Sequence, residues 1–199
     1  MTHVALPKLQ LLGISGSIRQ HSTNTAVLEA LRLRIIRSGD AEMMLFGLEE
    51  IPPYNSDLEG AKLPQSVRAL KEAIRSCDGL VLCSPEYNHG MSGVLKNALD
   101  WASRPSYQSV LKGKPTLIMT SAPSPVGGAR AVQQIRETLA SCLSRVVARP
   151  DVVIPKINEK IVEGKFVDEV ALAHAQQAIG DLIAEIRRGP VLETVRQLR

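Results

Sequence analysis

The chain has 199 residues, of which 44% are hydrophobic, and a formal net charge of +4 at pH 7. This length and hydrophobic content suit one α/β domain with a sizeable core, so we expect a single domain over residues 1–199. The basic residues are scattered and do not interleave with aromatic side chains, which argues against a nucleic-acid partner. No apolar run approaches the roughly 18 residues of a membrane span, so no membrane partner is expected.

Three cysteines, Cys77, Cys83 and Cys142, lie far apart in the chain. They form no C-x-x-C motif and no Cys/His cluster, so we expect neither a metal site nor a dithiol motif. Cys77 and Cys83 flank or lie in an apolar strand, where a small buried hydrophobic residue is the expected role. An odd number of cysteines without a secretory segment predicts a cytoplasmic location.

Apolar patterning predicts strands that alternate with helices. The expected strands lie at residues 9–14, 41–48, 80–84, 116–120 and 146–154, the last interrupted at Pro150. The expected helices lie near residues 26–38, 64–74, 94–102, 131–143 and 168–188. Residues 1–8 are expected to be partly frayed, and one more short helix is an option for the tail to Arg199.

This alternation predicts an α/β fold of the flavodoxin-like type. We expect a three-layer sandwich, with a five-stranded parallel sheet in the order 2-1-3-4-5 and helices on both faces. Ligands of such sheets bind at the carboxyl ends of the strands, where the strand order reverses. The loops that meet there are residues 15–24, 85–90 and 121–128, each rich in Gly, Pro, Ser or Asn.

The first of these loops has the features of an anion site. It joins a strand to a helix N-terminus, where free backbone N–H groups and the positive end of the helix dipole favour an anion. Its side chains supply further hydrogen-bond donors, and one of them adds a charged planar guanidinium suited to phosphate. These residues are Ser17, Arg19, Ser22, Thr23 and Asn24.

The glycines of this loop limit the kind of nucleotide that it can hold. Gly13 and Gly16 do not form the G-x-G-x-x-G dinucleotide motif, and no G-K-[ST] sequence of a triphosphate-binding loop follows. A mononucleotide phosphate is therefore the better interpretation. The alternative is a plain strand–helix turn whose hydroxyl residues only cap the helix.

The same loops resemble the NAD(P)H-dependent FMN reductases, a family that includes bacterial chromate and quinone reductases and some azoreductases. Residues 16–24 (GSIRQHSTN) are similar to the family signature G-S-[LI]-R-x-x-S-x-N. Residues 85–101 match a second signature, P-E-Y-N followed by L-K-N-A-[IL]-D-W. Residues 121–130 are similar to a third, from which Pro123 and Pro125 depart. The resemblance covers about residues 9–145.

The resemblance implies a bound FMN, with NADPH or NADH as the co-substrate. It assigns the phosphate to the first loop and the isoalloxazine edge to the backbone of the second. The cofactor-binding residues implied in the second and third loops are Pro85, Glu86, Tyr87, Asn88, His89, Gly90, Ser121 and Ala122. No catalytic side chain is expected, because the flavin N5 accepts the hydride and passes it on in a ping-pong scheme.

Several side-chain roles stay open at this point. Glu86 makes either a structural hydrogen bond or a surface salt bridge, and Tyr87 either contacts the ring or a subunit or lies in the core. His89 is either a co-substrate contact or a bystander. Arg104 and Arg130 are candidates for an anionic acceptor, the pyridine nucleotide or an interface.

The resemblance also implies partners. The expected electron acceptors are quinones, azo dyes, chromate and free flavin, and the expected assembly is a homodimer or homotetramer. The helix that contains Trp101 and the loop that contains Tyr54 are candidates for the dimer face. A flavodoxin-like one-electron carrier and a non-enzymatic protein of the same fold are the alternative functions.

Overall fold

The computed structural model of the chain describes residues 7–189. The predictions for the first six residues and for a helix in the tail lie outside this range. The strands are β1 (Leu9–Ser15), β2 (Ala41–Phe46), β3 (Gly79–Ser84), β4 (Glu86–Tyr87), β5 (Gly90–Met91), β6 (Pro115–Ser121), β7 (Arg145–Val146), β8 (Val152–Ile154), β9 (Ile161–Val162) and β10 (Lys165–Phe166). The helices are α1 (Thr23–Ser38), α2 (Gln65–Ser76), α3 (Gly93–Ala102), α4 (Ala129–Ser141) and α5 (Glu169–Arg188).

The central sheet is parallel and confirms the predicted strand order. β1 pairs with β2 and β3, and β3 pairs with β6. The fifth position is divided between two short strands, because β7 pairs with the start of β6 and β8 with its end. Pro150 lies between these two strands and has no N–H to donate, which explains why the predicted strand is broken there.

Helices cover both faces of the sheet, as the apolar patterning predicts. α1 and α5 pack on one face, whereas α2, α3 and α4 pack on the other. Every residue of β3 is buried, as expected for a central strand that is covered on both sides. Of the helices in residues 7–189, none has the length and apolar character needed to cross a membrane.

Two predicted loops contain short antiparallel hairpins. Residues 85–90 were expected to form a loop, but β4 and β5 pair there, with Glu86 opposite Met91. The segment between the last predicted strand and the last predicted helix contains a second hairpin, β9–β10, and Glu163 and Gly164 at its turn both have positive φ. Two-residue strands are too short to show an alternating pattern, so they were not predictable from the sequence.

The first helix begins three residues earlier than expected. The apolar spacing starts at Ala26, but α1 starts at Thr23 because Ser22 is its N-cap and accepts a hydrogen bond from the Thr25 N–H. Its end at Gly39, which has φ of 83°, confirms the predicted stop. The N-terminus of α1 therefore lies inside the first loop.

Candidate functional site

The first and second loops meet at the carboxyl ends of β1 and β3. The Gly16 N–H donates to the Cys83 carbonyl at 2.8 Å, so the first loop lies directly on the end of β3. A Cβ at Gly16 would lie 2.9 Å from Ser84 Oγ and 3.0 Å from Ser92 Oγ. Only glycine allows the first loop to approach the start of α3 this closely.

The first loop presents a group of hydroxyls at the N-terminus of α1. Ser22 Oγ accepts from the Thr25 N–H at 3.1 Å, and Thr25 Oγ1 donates to Ser15 Oγ at 2.9 Å. Ser17 and Ser22 are both buried. Capping uses the oxygen of Ser22 as an acceptor and leaves its O–H as a donor, so the capping and phosphate-binding roles are compatible.

The charged residue of this loop lies at its surface. Arg19 is exposed, and its Nη2 donates to the His21 carbonyl at 3.2 Å. This single hydrogen bond at an exposed tip leaves most of the guanidinium donors available.

Asn24 faces inward from the first turn of α1. It is 3% exposed, and its Oδ1 accepts from Ser121 Oγ at 2.9 Å and from Cys83 Sγ at 3.3 Å. Asn24 and Ser121 were each predicted as cofactor-binding residues, and the structure brings them into direct contact. The amide oxygen is thereby committed to the protein, so any donation by Asn24 to a ligand must come from Nδ2.

The second loop is the β4–β5 hairpin. Asn88 and His89 form its tip with φ of 49° and 67°, and asparagine tolerates such a positive φ. Tyr87 is 50% exposed, so the option of a core tyrosine was wrong. His89 is exposed as well.

Glu86 connects this hairpin to α4. Its carboxylate accepts from the backbone N–H groups of Arg130, at 2.9 Å, and Ala131, at 3.2 Å. The Arg130 guanidinium lies 3.4 Å from the same carboxylate. Both roles left open for Glu86, the structural hydrogen bond and the salt bridge, are therefore present.

The third loop is held by the segment that follows β8. The Ala122 N–H donates to the Ile154 carbonyl, and the Ile157 N–H donates back to the Ala122 carbonyl, each at 3.2 Å. Gly127 has φ of 64°, and a Cβ there would lie 2.7 Å from the Pro155 nitrogen. Ser121 and Ala122 are both buried at the carboxyl end of β6.

Comparison with known proteins shows the family of the chain. The model of the NADPH-dependent FMN reductase family matches residues 9–159. An NAD(P)H-dependent FMN reductase of Pseudomonas aeruginosa is 36% identical over 181 residues, which cover 90% of this chain and 96% of that protein. The chain belongs to the NADPH-dependent FMN reductase family.

Two further relatives of this FMN reductase agree with that assignment. A quinone reductase of Escherichia coli K12 is 35% identical over 186 residues, covering 90% of this chain and 98% of that protein. The solved structure of an NAD(P)H:acceptor oxidoreductase flavoenzyme from Paracoccus denitrificans superposes with a TM-score of 0.78 at 29% identity, covering 91% of this chain and 98% of that one. The family resemblance and the flavodoxin-like fold are confirmed, and the chain is an oxidoreductase that uses FMN with NAD(P)H as the electron donor.

The residues at the sheet edge fit the phosphate of FMN. A phosphate dianion needs several donors and a compensating charge. The open N-terminus of α1, the buried hydroxyls of Ser17 and Ser22 and the exposed guanidinium of Arg19 supply them in one loop. Within residues 7–189, no group of three His, Cys, Asp or Glu side chains is placed to hold a metal ion.

One predicted substrate residue lies far from this edge. Arg104 lines a small cavity with Ser141 and Cys142, just beyond the C-terminus of α4. The neighbouring Leu143 carbonyl accepts from the Gly113 N–H, next to the amino end of β6. Arg104 is therefore at the opposite edge of the sheet from the three loops, because α3 runs antiparallel to the strands, and it does not reach the site of its own chain.

The two parts of the candidate dimer face lie against each other. Trp101 is fully buried, and its Nε1 donates to the Pro52 carbonyl at 2.8 Å. The ring of Tyr54 meets it edge-on at 4.9 Å, and Asn97 binds the backbone of both Pro52 and Tyr54. The loop that contains Tyr54 thus covers Trp101, and a dimer face formed by this loop and α3 stays a prediction.

Two neighbours of the site were not predicted from the sequence. Gln134 on α4 accepts from the Met91 N–H at 2.7 Å and so supports the hairpin from below. The β9–β10 hairpin packs beside α1 and forms a groove of about 500 Å³ that shares Ser22 and Thr23 with the first loop. Neither neighbour has a sequence motif, so only the fold reveals them.

Proposed function

We propose that this FMN reductase transfers a hydride from NAD(P)H, through FMN bound at the three loops, to quinones. The observation that supports this most is the convergence of the α1 N-terminus, the β4–β5 hairpin and the end of β6 at one sheet edge. The quinone reductase of E. coli, to which the chain is similar over 98% of that protein, supports the choice of acceptor. Azo dyes, chromate and free flavin are further candidate acceptors.

The first loop is proposed to bind the phosphate. Backbone N–H groups at the start of α1 and the hydroxyls beside them would surround the phosphate oxygens, and Arg19 would neutralise the charge from the open side. Asn24 would contribute through Nδ2 while its oxygen stays on Ser121. The phosphate-binding residues in this proposal are Ser17, Arg19, Ser22, Thr23 and Asn24.

The second and third loops are proposed to bind the ring. FMN supplies the hydride chemistry when it is bound, so the protein has to orient the ring and leave one face open to the donor and then the acceptor. Residues 85–90 would contact the ring edge through their backbone, and Ser121 and Ala122 would approach from β6. The exposed Tyr87 and His89 of the hairpin would contact the co-substrate, the acceptor or a second subunit. Arg130 is the remaining candidate for an anionic contact.

Two broader predictions belong to the same proposal. A homodimer or homotetramer is proposed from the family resemblance. A cytoplasmic location is supported by three free cysteines in the described part of the chain.

The experiment that tests the proposal begins with a visible spectrum of the purified protein. We expect an FMN spectrum that NADPH or NADH bleaches without oxygen and that a quinone restores. Arg19→Ala should retain less FMN at low FMN concentration, while Arg37→Ala, at the far end of the same helix, should retain as much as the wild type. A wild-type protein that binds no FMN, or reduced protein that no quinone reoxidises, contradicts the proposal.

A further inference from the structure

α4 lacks an N-cap side chain of its own. Its N-cap residue is Gly128, in the left-handed conformation with φ of 97°, and no side chain from the preceding loop bonds the first turn. The orphan N–H groups of a helix start need an acceptor when they are not exposed to water. Here the acceptor is the carboxylate of Glu86, which comes from the β4–β5 hairpin 44 residues earlier in the chain.

The hydrogen bonds from backbone N–H groups to Glu86 contribute more to the contact with α4 than the ion pair between Glu86 and Arg130. The Glu86 side chain is only 9% exposed, and one of its oxygens lies 2.9 Å from the Arg130 nitrogen and 3.2 Å from the Ala131 nitrogen. The Arg130 side chain is 53% exposed and approaches no closer than 3.4 Å. Exposed ion pairs contribute little, whereas charged caps on helix N–H groups form strong hydrogen bonds.

A second contact joins the same two elements. Met91, the hairpin residue paired with Glu86, donates its N–H to Gln134 Oε1 at 2.7 Å, one turn further along α4. Both strands of the hairpin are thus bound to α4. Glu86 of β4 accepts from N–H groups of the helix, and Gln134 of the helix accepts from the N–H of Met91 in β5. The hairpin belongs to the second loop, and the α4 N-terminus ends the third.

We propose that Glu86 is a positioning residue that joins the second and third loops into one rigid unit and thereby sets the width of the isoalloxazine cleft. This inference rests on the proposed binding of FMN at these loops. Capping α4 with a protein carboxylate also keeps anions away from that helix N-terminus, so that the α1 N-terminus is the open anion site at this edge.

The capping part of the inference is tested without FMN, by hydrogen exchange of the apoprotein. Loss of a helix N-cap costs about 1 kcal/mol, so Glu86→Ala should speed exchange of the Arg130 and Ala131 amides about fivefold. Glu86→Gln keeps an acceptor oxygen and should give an intermediate rate. Arg130→Ala keeps the backbone contacts and should match the wild type, as should Glu137→Ala, which removes an exposed carboxylate from the same helix. Wild-type exchange in Glu86→Ala overturns the inference.

The positioning part is tested by FMN titration, followed through the quenching of flavin fluorescence. We expect Glu86→Ala to bind FMN about fivefold or more weakly, Glu86→Gln to recover most of the affinity, and Glu137→Ala to equal the wild type. If Glu86→Ala does not fold, Glu86→Gln provides both readouts. A wild-type protein that binds no FMN refutes the proposed function, whereas equal affinity of the wild type and Glu86→Ala refutes only the role of Glu86.

Discussion

Asn24 accepts a hydrogen bond from Ser121 at 2.9 Å, although 97 residues separate them in the chain. The contact joins the first turn of α1 to the end of β6, and the Cys83 thiol donates to the same oxygen from the end of β3. The amide oxygen of Asn24 therefore holds the start of α1 to the ends of β3 and β6. This buried polar contact fixes the position of the α1 N-terminus relative to the sheet. An anion site at that helix end requires such a fixed position.

Replacing Asn24 by Ala should destabilise the protein. The change leaves the Ser121 hydroxyl buried without its partner, and such losses cost about 1–3 kcal/mol. Ser121→Ala should cost less, about 1 kcal/mol, because Cys83 still donates to Asn24. Urea unfolding of both single variants and of the double variant measures the coupling between them. Ser124→Ala, at an exposed position of the third loop, is the control; additive effects of Asn24→Ala and Ser121→Ala would contradict a direct interaction.

A methyl group at Gly16 should disturb the first loop. The added Cβ would lie within 3.0 Å of two serine oxygens, and overpacking at buried positions costs about 1–3 kcal/mol. We expect Gly16→Ala to lower the melting temperature and to weaken FMN binding. Gly93→Ala is the matched control, since a Cβ there meets nothing within 4 Å. Equal melting temperatures for the two variants would show that the close approach at Gly16 is unimportant.

The layered fold was predictable because buried parallel strands and amphipathic helices repeat a simple apolar pattern over many residues. β3 and β6 are buried throughout, and their apolar runs stand out in the sequence. The three site loops followed from the strand order alone, since ligands of such sheets bind where that order reverses. The end of the first helix was predictable too, because a glycine such as Gly39, here with φ of 83°, commonly ends a helix.

Long-range partners were not predictable in this way. Glu86 was recognised as a polar residue, but its partners on α4 lie 44 and 45 residues later, and no spacing rule relates them. Arg104 was selected for its charge, yet its place at the other edge of the sheet depends on the direction of α3. These outcomes depend on tertiary packing, which a periodic pattern does not encode.

The thiol of Cys83 should be unreactive in the folded protein. Burial raises the pKa of this thiol to about 12, so that only about one molecule in 10,000 carries the thiolate at pH 8. Half-buried Cys142 should react first with iodoacetamide, and Cys83 only after unfolding in urea. Mass spectrometry of the labelled peptides measures both rates. Labelling of Cys83 as fast as that of Cys142 would mean that the centre of the sheet opens readily.

Asp168 should make stability depend on pH at the start of α5. The Ala171 N–H, at 2.9 Å from Oδ1, and the ion pair with Lys160 hold the pKa of this carboxyl below its usual value. A lowered pKa in the folded state means that the stabilisation is complete above the unfolded-state value of about 3.9 and is lost as the pH falls through the folded-state value. Asp168→Ala should therefore cost about 1 kcal/mol at pH 7 and progressively less at acid pH.

Asp168→Asn separates the cap from the charge. The amide oxygen can still accept from the Ala171 N–H, whereas the attraction to Lys160 is gone, so this variant should lose less stability than Asp168→Ala at pH 7. Its difference from the wild type should also disappear at low pH, where the wild-type carboxyl is protonated. Urea unfolding at a series of pH values from 7 downwards measures both differences. A cost of Asp168→Ala that stays constant over this range would show that the carboxylate charge does not stabilise α5.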